Sequence, residues 1–170
     1  MARDFWEDYC GENPSLIPFF AGSPQSIGET LKTLPPWSPS LLHAVLEYQS
    51  RLGLQRTCDP ETAIIITGQQ PGLLAGPMFT IYKAITAVRL AEKMARETGR
   101  PCAPVFWVAA DDHDFEEVRT VHLLSRRNDR VTLRYDPDEA AMVDAMPMHR
   151  LPLSQSLPEI VDEAARVTPG

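Results

Sequence analysis

No stretch of this 170-residue chain approaches the roughly 20 consecutive apolar residues that a bilayer-crossing helix requires, so no membrane span is expected. A secretory leader is not expected either. Asp4, Glu7 and Asp8 put acids where a leader would be basic and then apolar. Cysteine is scarce: Cys10, Cys58 and Cys102 are odd in number, widely spaced and free of any CxxC pair. That argues against a disulfide framework or a structural zinc site and leaves three reduced thiols. Positive charge is also short, with 16 Lys and Arg against 23 Asp and Glu and a net charge of −7. Such a balance disfavours bulk binding to nucleic acid or to an anionic membrane. The chain shows neither internal repeats nor a low-complexity tract. These absences describe a cytoplasmic protein.

What is present is ordinary for a folded domain: 44% hydrophobic and 23% charged residues, in a length suited to one core. Residues 1–37 hold five prolines and six aromatics, among them Phe5, Trp6, Tyr9, Phe19, Phe20 and Trp37. Proline at that density forbids long helices. The aromatics argue against a disordered linker, so the segment is expected to lie as an arm on a core formed by residues 38–170, rings inward. Ser38 as a cap and Pro39 at the first helical position open a helix whose apolar residues recur through Leu52, with Gly53 ending it.

Ala63-Ile64-Ile65-Ile66-Thr67 is a continuous β-branched run, the pattern of a strand covered on both faces. A loop, 68–76, leads to Pro77 and a helix whose apolar face is traced by Ile81, Ile85, Val88, Ala91 and Met94, ending at Gly99. Residues 104–109 form a second apolar strand. Strand, crossover helix and strand make a βαβ unit with parallel strands, so the loops following both strands share one sheet edge. Open α/β folds bind ligands on that edge. Further on, 118–124 and 131–135 suit a hairpin or a short helix from Phe115 followed by a strand. Arg150–Leu153 reads as an edge strand, and Ser156 with Glu159 as a capping box opening a helix through Val167.

Two loops carry the candidate chemistry. Gly68, Gln69, Gln70, Gly72 and Gly76 lie between a strand and a helix start, where free amides suit phosphate or carboxylate; the alternative is a long connection using glycine for tight turns. The loop is neither a Walker loop nor a GxGxxG fingerprint. Lys83 is one of three lysines. Its stem can reach back over a bound phosphate, although spacing alone favours a solvated lysine; Tyr82 offers a hydroxyl. In Asp111-Asp112-His113-Asp114, His113 can exchange protons near neutral pH beside an orienting carboxylate. The same residues can hold a divalent metal, giving a metal-dependent hydrolase as an alternative, or form a strand-end turn with Asp114 capping a helix. A non-catalytic binding module is a further alternative. His43 reads as a surface residue, His122 and His149 as structural, Trp107 as core, and Arg126, Arg127 and Arg130 as a solvated turn.

The tract Thr67 to Ala84 resembles the signature of the bacillithiol biosynthesis cysteine-adding enzymes. So does Val105 to Val118, in the right order and at the right distance. One departure is Asp111, where the family usually carries Glu. The resemblance implies a Rossmann-like α/β core similar to nucleotidyltransferases and class I aminoacyl-tRNA synthetases. It also implies a longer protein that dimerises through a C-terminal coiled coil, this chain being the N-terminal portion. The implied reaction joins L-cysteine to glucosaminyl-malate, with ATP activating the cysteine carboxylate. On that resemblance Asp112, His113 and Lys83 are the expected catalytic residues. Gly68, Gln69, Gln70, Gly72, Gly76, Tyr82, Asp111 and Asp114 would bind substrate or nucleotide; no metal site is assigned.

Overall fold

A computed structural model describes residues 4–20, 22–54, 58–137 and 146–168. The chain divides into two compact units, Met1–Ile65 with Val88–Pro104, and Ile66–Ala87 with Val105–Gly170.

In the first unit, short helices α1 (Phe5–Cys10) and α2 (Ile27–Thr33) flank a 3₁₀ turn at Ile17–Phe19. Helix α3 (Pro39–Arg51) begins as its sequence dictates, with the Ser38 hydroxyl accepting from the Leu41 amide, and it stops before Gly53 at φ 76°. The expected inward-facing aromatics are found only in part: Trp37 is half-buried and its indole N–H donates to the Thr62 carbonyl at 2.8 Å. Phe5, Trp6 and Phe19 are exposed, and Phe5, Tyr9 and Phe20 pack mainly on one another, with ring centroids of Tyr9 and Phe20 4.6 Å apart. Leu31, Ala63, Ile65, Ala91 and Met94 are the unit's buried apolar residues. Arg100 braces them: its guanidinium donates to the Leu31, Leu34 and Glu61 carbonyls at 2.6, 2.8 and 2.6 Å.

Strands β1 (Ala63–Gln69) and β2 (Cys102–Val108) pair with each other and are joined by α4 (Met78–Thr98). At one end the Ala63 amide donates to Pro101, and at the other Ala109 donates to Gln69. Both strands therefore advance together, and the pair is parallel. The expected two-sided cover is only partly realised. Ala63 and Ile65 are buried, but Ile66 is 64% and Trp107 63% exposed, so Trp107 is not a core residue. The sheet is two strands wide, and the described residues lay no second layer over these side chains. On α4 the buried stripe runs through Ala87, Ala91 and Met94, while Ile81, Ile85 and Val88 sit on an adjacent, exposed stripe. Alanine allows close approach, so the small residues rather than the branched ones face inward.

The second unit has its own core. Hairpin β3 (Thr120–Leu124) and β4 (Arg130–Arg134) pairs antiparallel, with His122 opposite Thr132. Helix α5 (Phe115–Val118) precedes it, so the short helix and the hairpin both form. Helix α6 (Leu157–Val167) completes the layer; Leu73, Phe115, Val121, Leu133, Tyr135 and Ala164 cluster beneath it. Two expectations fail here. Residues 148–150 form a 3₁₀ turn and 151–153 no strand. Ser156 makes no cap bond to the helix; its hydroxyl lies 2.6 Å from that of Ser154, which removes it from the capping geometry.

Candidate functional site

The end of β1 shapes the first wall of the site. A Cβ built on Gly68 would stand 2.6 Å from the Trp107 carbonyl oxygen, so only glycine lets the strands pair this closely. The strand consequently runs through Gln69, two residues beyond the expected end. After Gly72 the chain takes a 3₁₀ turn at Leu73–Ala75, where Leu74, Ala75 and Gly76 have φ of 52°, 74° and 72°. Two non-glycine residues in left-handed backbone are strained. The buried Leu73 side chain, seated in the core of the second unit, holds the turn in place. A Cβ on Gly72 would lie 2.8 Å from the Gly76 Cα, so the loop crosses itself only because that position is glycine.

Lys83 reaches back as its long stem allows, but to the loop itself. Its ammonium donates to the Gly68 carbonyl at 3.0 Å and to Gln69 Oε1 at 2.8 Å, and it lies 4.6 Å over the Phe79 ring. Gln69 Nε2 donates in turn to Gln70 Oε1 at 2.9 Å. Lys83 thus sets the strand end and the amide side chain of Gln69. The solvated alternative does not hold, for the residue is half-buried. Tyr82, beside it, is exposed.

The second loop follows β2. Ala110 is gripped from outside: the His149 amide donates to its carbonyl at 2.9 Å, and His149 Nδ1 lies 3.0 Å from the same oxygen. The Met148 amide donates to the Asp112 carbonyl. Asp112 Oδ1 accepts from the His113 and Asp114 amides at 2.7 and 3.2 Å, and Asp114 Oδ1 caps α5 by accepting from Glu117. The Gln70 side chain lies close enough to Asp112 to favour its ionised form. The amide of Asp114, then the Gln70 side chain and the His113 amide, hold the Asp112 carboxyl below the usual carboxylate range. Gln70 and Asp112 bring the two loops together at one edge, as parallel strands require. Asp111 and His113 are exposed beside that contact. Among the described residues no three His, Cys, Asp or Glu side chains gather to hold a metal ion, and the metal-hydrolase reading gains no support.

Beside the first loop lies a cleft of about 460 Å³. Gln69, Gln70, Gly72 and Gly76 line one side. The other side is made by Glu117, Thr120 and His122. Asp112, His113, Asp114 and Lys83 do not line it. Glu117 and His122 were not among the candidates. The signal was available: with Val121 inward, strand alternation puts Thr120 and His122 together on the opposite face.

Residues 2–168 match the family described as bacillithiol biosynthesis BshC, N-terminal Rossmann-like domain. The chain belongs to this family. It is a Rossmann-like α/β domain. Among curated relatives, a protein of Salinibacter ruber named "Putative cysteine ligase BshC" is 36% identical over 98% of this chain and 32% of its own length. Proteins of the same name from Heliobacterium modesticaldum and Halalkalibacterium halodurans are 44% and 36% identical, over 50% and 68% of this chain and 16% and 24% of theirs. The chain therefore spans about a third of the length of the Salinibacter relative. Among the described residues no helix is long and apolar enough to cross a membrane.

Proposed function

We propose that this chain is the N-terminal part of a cysteine ligase that joins L-cysteine to the amine of glucosaminyl-malate, completing bacillithiol. The observation that carries this reading is the hydrogen bond from the Ala109 amide to the Gln69 carbonyl at 3.0 Å, which joins the carboxyl ends of β1 and β2 where the two signature loops meet. The substrates and the bond formed come from the family membership, and the geometry is compatible with them.

ATP is proposed as the activating co-substrate, because an amide does not form from a free carboxylate and an amine without activation. The residues present fit a phosphate group. α4 presents the start of a 21-residue helix, and Thr80 Oγ1 in its first turn is buried without a hydrogen-bond partner. A bound nucleotide would supply a leaving group on the cysteine carboxylate. The chain's own residues orient the reactants: Lys83 fixes Gln69 and the strand end, while Asp112 fixes the backbone before α5. His113, exposed next to Asp112, is placed to exchange protons with solvent or substrate. Cytoplasmic location and homodimerisation through a coiled coil belong to the same reading.

Deleting the gene that encodes this chain should remove bacillithiol and leave glucosaminyl-malate accumulating, as read by thiol labelling and mass spectrometry. Restoration by the gene, with stoichiometric nucleotide cleavage by the purified product, completes the test. Unchanged bacillithiol after deletion would remove the ligase assignment, and product formed without nucleotide would remove ATP.

A further inference from the structure

We propose that His122 is a proton-transfer residue of the cleft, taking a proton from a primary ammonium group seated beside Glu117. The inference rests on the ligase reading and deepens it by saying where the amine substrate sits. Three observations carry it. His122 and Glu117 line the same cleft as Gln70, Gly72 and Gly76, although they come from a different loop and strand. The ring is tethered, with Nδ1 2.9 Å from the Thr132 hydroxyl across the hairpin. That contact occupies Nδ1 and leaves Nε2 as the nitrogen for a ligand, in whichever tautomer the hydroxyl selects. Finally, His122 sits on the face of β3 away from the core residue Val121, so nothing in the hydrophobic cluster requires an imidazole there.

The charged groups about the ring are Glu117 in the cleft and, on the same face of β4, Arg130 and Arg134. Arg134 is neutralised by Glu116 and Asp136. Glu117 is thus the anion offered to a cationic ligand. The opposite wall, with its glycine-rich backbone, suits the anionic end of the same molecule. The ligand class is a primary amine carrying a carboxylate. In the step, an N–H bond of the ammonium breaks and an H–Nε2 bond forms. The electron pair remains on the amine nitrogen, which becomes nucleophilic, and the imidazolium later returns its proton to water.

The test is titration of the chain with glucosaminyl-malate, followed by NMR of the histidine ring protons and glutamine side-chain amides, with exposed His43 as the control. Saturable movement of the His122 ring resonances is expected, without movement of those of His43. His122→Gln should weaken binding about tenfold, the loss of one charge-assisted hydrogen bond. Thr132→Val should reduce the affinity less and broaden the ring signal. If the Gln69 and Gln70 amides respond while His122 does not, the proton-transfer role is overturned and the ligase reading stands. If none of them responds, both fall.

Discussion

One carboxylate, Asp112, serves both loops of the site. Its Oδ1 accepts two backbone amides of its own turn, and the Gln70 side chain from the other loop lies near it, both of which favour the ionised form. With the folded pKa lowered, its contribution to stability is complete above the ordinary carboxylate value of about 4 and is lost as pH falls through the lower folded value. Asp112→Asn should therefore lower the urea midpoint at neutral pH, with the difference from wild type closing in acid. A difference that stays constant across that range would mean that ionisation of Asp112 is not what couples the loops. Residues of this kind were legible in the sequence because the parallel-strand argument fixes where they meet. His122 was legible only in part: strand alternation puts it on the outer face of β3, but its partner across the hairpin is not given by that pattern. Lys83 was half legible, since its reach was foreseen but not its target, the Gly68 carbonyl near the end of β1.

At the scale of elements, Gly68 controls how closely β1 and β2 pair. Gly68→Ala would bring a methyl within 2.6 Å of the Trp107 carbonyl oxygen, and overpacking of this sort costs about 1–3 kcal/mol. Chemical unfolding should register that loss together with a weakened Lys83–Gly68 contact; a variant as stable as wild type would show that the strands part without penalty. Apolar runs and glycine punctuation were enough to locate α3, β1, α4, β2, the hairpin and α6. They did not identify the coil at 151–153, where three residues of mixed character suit a strand or a coil equally. Nor did the Ser156–Glu159 spacing reveal that the hydroxyl would turn to Ser154. Both misses concern side-chain partners close in sequence, for which periodicity carries no information.

For the molecule as a whole, the described residues leave a large amount of apolar surface uncovered, including Ile66, Ile81, Ile85, Trp107 and Val108. Quenching of tryptophan emission by acrylamide should find Trp107 accessible in the native chain, and Trp107→Phe should reduce the accessible component to that of the exposed Trp6; an unaltered accessible fraction would mean that the Trp107 ring is covered in solution. The sequence could announce these side chains only as core, because hydrophobic pattern records what wants cover and not whether the cover is present. The parallel pairing of β1 and β2 has a last consequence, for biogenesis. Gln70 leaves the ribosome well before Asp112, and the whole crossover helix must emerge between them. A nascent chain paused within α4 would carry the glycine loop with its Lys83 strut but no carboxylate to fasten it. The binding edge is therefore closed late in synthesis, by a residue that arrives after the scaffold it completes.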